Sequence, residues 1–109
     1  VEVRQWRGEG IVPRDELIQQ AKCAQGLLCM LTDKIDKEFI DSVGSNVKVV
    51  STMSVGYDHI DISAAKAKGI ALGYTPDVLT DATADTTVLL ALAVARRAKE
   101  AIDAVRNGE

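Results

Sequence analysis

One stretch of the chain combines a strand end, a glycine and several polar residues in a way that suits anion binding. It covers residues 51–61 and reads Ser-Thr-Met-Ser-Val-Gly-Tyr-Asp-His-Ile-Asp. A turn at Gly56 can point several backbone N–H groups at one spot and so form a nest for a small anion. Residues 46–52 before it are short, β-branched and apolar, which is typical of a buried parallel strand. Loops that follow such strands bind ligands in open α/β sheets, although Gly56 is equally consistent with a plain connecting turn.

Other residues that could carry chemistry are few. Cys23 and Cys29 are too few and too poorly spaced for a zinc site or a redox motif, and they fit small buried residues in a reducing compartment. His59 is the only histidine, so we expect no histidine-based metal site. No glycine-rich dinucleotide fingerprint, P-loop or nucleophile elbow follows any predicted strand. The residues therefore offer a binding loop without a complete catalytic site and without a metal site.

Length and composition restrict the class of protein. The 109 residues fit one domain, and the hydrophobic share of 47% and charged share of 27% are ordinary for a soluble globular protein. The net charge of −3 gives no basic surface for nucleic acid. No apolar run approaches the roughly 20 residues that cross a bilayer, and the opening residues are not those of a signal peptide. We therefore expect no nucleic-acid partner and no membrane segment.

Strand and helix signals alternate along the chain, which is typical of an α/β fold with a parallel sheet and helices on both faces. Four strands are predicted, at residues 1–6, 26–31, 47–52 and 70–74. Shorter helices are predicted at residues 13–23, 36–43 and 64–68, with Asp36 and either Asp61 or Ser63 as caps. A long final helix is predicted at residues 82–106, with a broad apolar stripe.

The order and spacing of several motifs carry a resemblance to a known family. The loop ends in Val-Gly-Tyr-Asp-His-Ile-Asp, Lys-Gly-Ile follows at residues 68–70, and Thr-Pro-Asp follows at residues 75–77. With the strand before the loop, this pattern resembles the NAD(P)-dependent D-2-hydroxyacid dehydrogenases. Within that family it is most similar to the reductases of glyoxylate and hydroxypyruvate. The resemblance covers nearly the whole chain, from the first predicted strand to Asn107 and Gly108.

The resemblance implies a fold and a domain organisation. Members of this family have a flavodoxin-like substrate domain and a separate Rossmann cofactor domain, with the active site in the cleft between them. Residues 1–80 then form a partial flavodoxin-like substrate domain, and residues 81–109 form a long interdomain helix that leads toward the cofactor domain. The family's opening strand has no counterpart here, so we expect a gap in the sheet where residues 1–6 should pair. We expect the chain alone to be marginally stable, prone to self-association and catalytically inactive.

The resemblance also implies roles for individual residues. The main-chain N–H groups of Val55 and Gly56 would bind the substrate carboxylate, and Ser54 would shape their turn. Leu31 would border the substrate pocket, and Thr83, in the first turn of the final helix, would lie near the nicotinamide end of the cofactor. Three of these residues also have plainer interpretations. Ser54 could be a solvated turn serine, Leu31 a core or rim residue, and Thr83 an ordinary residue at the start of a helix.

The activity implied by the resemblance is reduction of a 2-oxo acid to a D-2-hydroxy acid by hydride transfer from NADPH or NADH. His59 does not match the family's acid/base histidine. That histidine, its partner carboxylate and the substrate-binding arginine would all lie beyond Glu109, so no catalytic residue is expected in this chain. The implied partner is a small-molecule 2-oxo or 2-hydroxy acid, and the complete protein would be a homodimer in the cytoplasm.

Two alternatives stay open. The chain could belong to another branch of the same family, of the phosphoglycerate or formate dehydrogenase type. It could also be a non-enzymatic α/β module in which Val55 and Gly56 capture a carboxylate or a phosphate. The second alternative predicts ligand binding by this chain without any nicotinamide cofactor.

Overall fold

Three parallel strands form the sheet in the computed structural model of the chain, which describes all 109 residues. The strands β1 (Gly26–Cys29), β2 (Val49–Thr52) and β3 (Ala71–Gly73) lie side by side in that order, so β2 is central. At their carboxyl ends, Cys29 lies opposite Thr52. Because all the strands run the same way, their carboxyl ends meet at one edge of the sheet. The predicted fold class, a parallel sheet with flanking helices, is confirmed.

Short helices connect the strands and cover one face of the sheet. Helix α1 (Arg14–Lys22) precedes β1, α2 (Lys37–Ser42) joins β1 to β2, and α3 (Ile62–Ala67) joins β2 to β3. Both crossovers step in the same direction along the sheet, so right-handed connections place α2 and α3 on the same face. The core beneath them consists of buried side chains from Ala21, Cys29, Ile35, Phe39, Ile40, Val43, Val47, Val50, Ile60, Ala65 and Ile70.

The other face of the sheet is not covered by these helices. The chain divides into two units, Val1–Pro76 and Asp77–Glu109, and the sheet lies in the first. On the second face of the sheet, Leu28 is 70% exposed and Val49 is 40% exposed. Within this unit the prediction of helices on both faces is therefore wrong, because two crossovers in one direction bring their helices to one side.

Side-chain caps set where α2 and α3 begin. A carboxylate oxygen of Asp36 accepts a hydrogen bond at 3.0 Å from the N–H group three residues later, and Asp61 makes the equivalent bond at 2.9 Å. These bonds satisfy N–H groups that have no partner inside a helix. The sequence predicts the Asp36 cap and gives Asp61 as one of two candidates, with Ser63, for the other. It also predicts the glycines that end these helices, Gly44 and Gly69, which have φ angles of 73° and 69°.

Asp36 also ties α1 to the segment before α2. The Nη2 atom of Arg14 donates to Oδ1 of Asp36 at 2.6 Å, and Nη1 donates to the carbonyl oxygen of Lys34 at 3.0 Å. The N–H group of Phe39 and the Arg14 guanidinium together lower the pKa of Asp36 from 3.8 to about 2. The charged form of this carboxyl group is therefore the one that stabilises the fold.

Replacing Asp36 with alanine should lower the free energy of unfolding by about 1–2 kcal/mol at neutral pH, because the cap of α2 is lost. Since the folded pKa is lower than the unfolded one, the carboxylate stabilises the fold above about pH 4, and this stabilisation is lost as the pH falls toward about 2. Urea unfolding of the wild-type and Asp36→Ala chains at about pH 7 and about pH 3 measures the difference between them. We expect that difference to be smaller at the lower pH.

The variant Asp36→Asn is the matched control, because its amide keeps an acceptor for the cap but carries no charge. At neutral pH its stability should lie between those of the wild-type and alanine chains. It should approach the wild-type value as the pH falls. A difference between wild type and Asp36→Ala that stays constant with pH would contradict the role assigned to the charged carboxylate.

The strand predicted at residues 1–6 does not form. Val3 is 82% exposed, and no residue of this segment pairs with the sheet. A strand needs a hydrogen-bonded neighbour, and residues 1–6 have none. The edge of β1 that faces away from β2 is left unpaired. The prediction failed because the weak alternation of residues 1–6 says nothing about whether a neighbouring strand is present.

The second unit contains two helices where the sequence predicts one long interdomain helix. Helix α4 spans Thr80–Ala95 and α5 spans Ala98–Asn107. Between them Arg97 has a φ of 51° and a ψ of 43°, in the left-handed region. This conformation costs an L-residue about 1–2 kcal/mol, and it interrupts the helical backbone between α4 and α5, two helices that contact each other. Neither helix, nor any other in the chain, has the length and apolar content needed to cross a membrane.

Candidate anion-binding site

The loop after β2 is held on both sides by neighbouring segments. The N–H group of Met53 donates to the carbonyl oxygen of Cys29, at the end of β1, at 3.0 Å. On the other side, the N–H group of Thr75, just after β3, donates to the carbonyl oxygen of Ser54 at 3.0 Å. The loop therefore lies at the carboxyl end of the central strand, the edge at which open α/β sheets bind ligands.

The amide groups of Val55 and Gly56 have no hydrogen-bond partner in the chain. Neither N–H group donates to a backbone or side-chain acceptor, and the same is true of Tyr57. Val55 is half-buried, whereas Gly56 and Tyr57 are exposed. Successive N–H groups that have no partner within a turn form the kind of concavity that holds a small anion.

The structure shows why a glycine at position 56 suits a binding site. Its φ is not in the left-handed region, so the backbone conformation does not require glycine. A Cβ atom built on Gly56 would meet only one atom, Cδ2 of Leu31, at an ordinary contact distance of 3.9 Å. Neither backbone strain nor a clash within the chain therefore explains the missing side chain. The open space beside Gly56 leaves room for a ligand to approach the backbone closely.

Ser54 lies beneath the loop and is only 6% exposed, so it is not a solvated turn serine. Its Oγ donates to the carbonyl oxygen of Gly56 at 2.7 Å and lies 2.7 Å from Oγ1 of Thr52. Oγ1 of Thr52 lies 3.0 Å from Nε2 of His59. Sequence reasoning names Ser54 but misses the contacts of Thr52 and His59. The signal for Thr52 was present, because alternation along β2 places it on the buried face with Val50, where a polar side chain is unusual.

Apolar side chains border the loop. Leu31 and Met30 follow the end of β1 and are 62% and 46% exposed. The Leu31 side chain lies against Gly56, as described above, and so sits beside the exposed amides. An exposed leucine in this position can contact the apolar part of a bound acid.

Two tyrosines define a shallow cavity next to the loop. The rings of Tyr57 and Tyr74 meet edge to face, with centroids 5.4 Å apart and an interplanar angle of 81°. With Ile60, Ile62, Leu72 and Gly73 they line a space of about 210 Å³. The edge-to-face contact is the arrangement that aromatic pairs prefer.

The polar side chains under the loop do not provide a catalytic group. The hydroxyl of Ser54 is engaged with the chain itself, and burial raises the pKa of the Cys29 thiol. No cluster of histidine, cysteine, aspartate and glutamate side chains could hold a metal ion. The arrangement can therefore bind and orient an anion, but it does not supply a nucleophile or a metal to transform it.

Thr83, the predicted cofactor-binding residue, lies in the second unit. Its N–H group donates to the carbonyl oxygen of Leu79 at 2.9 Å, in the first turn of α4. Its side chain is exposed. The predicted substrate-binding residues Leu31, Ser54, Val55 and Gly56 lie together in the first unit, and Thr83 is not one of that group.

Comparison with known proteins adds to this geometry. The family model described as "D-isomer specific 2-hydroxyacid dehydrogenase, catalytic domain" matches residues 1–108. A glyoxylate reductase/hydroxypyruvate reductase of Mus musculus is 50% identical over 107 residues, which are 98% of this chain and 33% of that protein. A glyoxylate reductase of Thermofilum pendens is 52% identical over 96 residues, or 88% of this chain and 28% of that protein. The chain thus spans about a third of the length of the curated relatives it matches.

A solved structure shares the fold. The D-lactate dehydrogenase from Aquifex aeolicus, complexed with NAD and lactic acid, matches with a TM-score of 0.73 and 29% sequence identity. The match covers 88% of this chain and 27% of that one.

Proposed function

This chain belongs to the D-isomer specific 2-hydroxyacid dehydrogenases, and we propose that it supplies the substrate-carboxylate loop of an enzyme that reduces glyoxylate and hydroxypyruvate. The observation that carries the proposal is the pair of unpartnered N–H groups of Val55 and Gly56 at the carboxyl end of β2. The names of the relatives from Mus musculus and Thermofilum pendens support the choice of substrate. The activity is assigned to a complete protein, of which this chain would be the substrate-binding part.

The chemistry of a 2-oxo acid explains why such a loop is useful. Its carboxylate is directly bonded to the reacting carbonyl carbon, so holding the carboxylate places that carbon within one bond length of the anchored group. Hydrogen bonds from N–H groups to an ionised acceptor are roughly twice as strong as those to a neutral one. Val55 and Gly56 would donate these bonds, Ser54 would hold their turn, and Leu31 would border the rest of the substrate.

The cofactor in this proposal is NADPH or NADH, which supplies the hydride when it is bound. The hydroxyl of Thr83 is exposed and makes no hydrogen bond within the chain, so it fits a contact at the edge of a bound cofactor. No glycine-rich phosphate-binding turn is present in the sequence. The residues of this chain therefore fit a peripheral contribution, with the main cofactor site in a separate domain.

The same proposal covers the organisation of the complete protein. Residues 1–80 would belong to the substrate domain, and residues 81–109 would connect it to the cofactor domain. The complete protein would be a homodimer in the cytoplasm. The free thiols of Cys23 and Cys29 fit a reducing compartment of this kind.

The first experiment measures oxidation of NADPH and of NADH in the presence of glyoxylate or hydroxypyruvate. The 109-residue chain and the full-length protein that carries it are assayed side by side. We expect turnover by the full-length protein and none by the chain alone. Full-length protein that reduces neither acid with either cofactor would overturn the proposed activity.

A second measurement tests the loop without catalysis. Glyoxylate added to the ¹⁵N-labelled chain should shift the amide resonances of Val55 and Gly56, whereas neutral ethylene glycol should not. Shifts at these amides without turnover by the full-length protein would favour the anion-binding module. Turnover by the full-length protein without any shift of these amide resonances would mean that another part of the protein binds the carboxylate.

A further inference from the structure

A buried row of polar side chains runs beneath the loop. Nε2 of His59 lies 3.0 Å from Oγ1 of Thr52, which lies 2.7 Å from Oγ of Ser54. Oγ of Ser54 lies 2.7 Å from the carbonyl oxygen of Gly56. Thr52 and Ser54 are 1% and 6% exposed, so water does not compete for these contacts. The row begins at the only histidine of the chain and ends at the glycine of the candidate site.

The number of hydroxyl protons fixes the direction of this row. A hydroxyl group has one proton to donate, and that of Ser54 is donated to the carbonyl oxygen of Gly56. The short contact between the two hydroxyl oxygens therefore needs the proton of Thr52. With its own proton used, Thr52 can only accept from the imidazole, so Nε2 of His59 carries a proton.

The other ring nitrogen supports this assignment. Nδ1 of His59 is buried and has no hydrogen-bond partner. A proton on Nδ1 would be a buried donor without an acceptor, so the neutral ring fits best with Nδ1 unprotonated. The contact with Thr52 is therefore the polar contact that holds the His59 ring in place.

We propose that His59 is a positioning residue for the substrate-carboxylate loop, acting through Thr52 and Ser54 on the backbone of Gly56; this inference rests on the function proposed above. The carbonyl oxygen of Gly56 is held toward the interior by Ser54. Because a peptide unit is planar, the N–H group of Tyr57 then points to the opposite side. The row of hydrogen bonds therefore restricts rotation of the peptide unit between Gly56 and Tyr57 and fixes the direction of the unpartnered N–H group of Tyr57, which follows those of Val55 and Gly56 in the same turn.

Long-range ¹H–¹⁵N NMR spectra of the full-length protein test the proton assignment. The ring signals of His59 are identified as those that disappear in the His59→Gln variant. We expect the chemical shift of a protonated nitrogen at Nε2 and that of an unprotonated nitrogen at Nδ1. A neutral ring protonated at Nδ1 would overturn the inference, because Nε2 could not then donate to Thr52.

Kinetics of the full-length enzyme test the effect on substrate binding. Replacing His59 with leucine removes the donor and should raise KM for glyoxylate about tenfold with little change in kcat, as expected for the loss of about one hydrogen bond used in binding. His59→Gln keeps an N–H donor on a long side chain and should recover most of the wild-type KM. An unchanged KM in His59→Leu would overturn the inference, as would a His59→Gln variant that is no better than leucine.

Thr52→Val provides a second variant of nearly equal volume, in case the leucine variant does not fold. It breaks the row at its centre and should raise KM in the same way, while Thr52→Ser should restore it. Val47→Ala is the control for loss of stability alone, because Val47 is a buried core residue outside the loop, and its KM should not change. Wild-type turnover in the same assay tests the proposed function separately, so failure of the two ideas can be told apart.

Discussion

Replacing Gly56 with valine should raise KM for glyoxylate and lower kcat/KM about 100-fold in the full-length enzyme, which corresponds to loss of one or two hydrogen bonds to a charged group. The φ of Gly56 is outside the left-handed region, and a Cβ atom there would meet only Leu31 at 3.9 Å. The added side chain therefore has room within the chain and occupies the space above the amides. Steady-state kinetics with glyoxylate and a melting temperature for each variant measure the two effects separately.

Gly56→Ala gives the graded comparison. It adds one carbon at the same position and should have a smaller effect on KM in the same direction. Ala71→Val is the matched control, because it adds carbon atoms at an exposed position of β3, away from the loop, and should leave KM unchanged. Wild-type kinetics in both Gly56 variants would remove this loop from the description of substrate binding.

Replacing Phe39 with alanine should lower the free energy of unfolding by about 3–5 kcal/mol. Phe39 is 0% exposed, and it lies in α2 against the core that covers one face of the sheet. A loss of this size is a large fraction of the roughly 5–15 kcal/mol that stabilises a typical domain. Urea unfolding followed by circular dichroism gives the value from the shift of the midpoint.

Leu28→Ala is the control for this substitution. It also removes a large apolar side chain, but Leu28 is 70% exposed, so the expected loss is within about 0.5 kcal/mol. A loss for Phe39→Ala that is within about 0.5 kcal/mol would mean that the core does not lie between α2 and the sheet. The comparison also shows whether the uncovered face of the sheet is occupied in solution, since a covered Leu28 would be costly to remove.

Local signals in the sequence predicted the elements that position the site. Asp36 and Asp61 cap their helices, Gly44 and Gly69 follow them with left-handed φ angles, and β2 forms as a short strand in which Val50 and Thr52 are buried. Each of these features depends on residues within a few positions of one another. Such features can be inferred from one sequence, because capping bonds and turn conformations are local.

Predictions that depended on distant partners were wrong. Residues 1–6 alternate like a strand, yet no strand lies beside them to accept their hydrogen bonds. The helical periodicity continues through Arg97, yet this residue adopts a left-handed conformation that interrupts the helix between α4 and α5. The local pattern of residues predicts neither the missing neighbouring strand nor the contact between the two helices.

The candidate site was predicted only in part for the same reason. The sequence and its resemblance to the family pointed to Val55, Gly56 and Ser54. The contact between His59 and Thr52 joins residues seven positions apart across a loop. The direction of its hydrogen bond follows from the other partners of the Thr52 and Ser54 hydroxyl groups, which only the structure shows. The predicted roles of all five residues, Leu31, Ser54, Val55, Gly56 and Thr83, remain predictions.

The backbone bonds on either side of the loop, from Met53 and Thr75, mean that its conformational entropy is lost when the sheet folds and not when a ligand arrives. Binding of a carboxylate is then opposed mainly by removal of water from the anion, with little cost for ordering the loop. Under the proposed function, such a loop would recognise the carboxylate that all 2-oxo acids share. Discrimination between glyoxylate and larger acids must therefore come from the side chains that face the rest of the substrate.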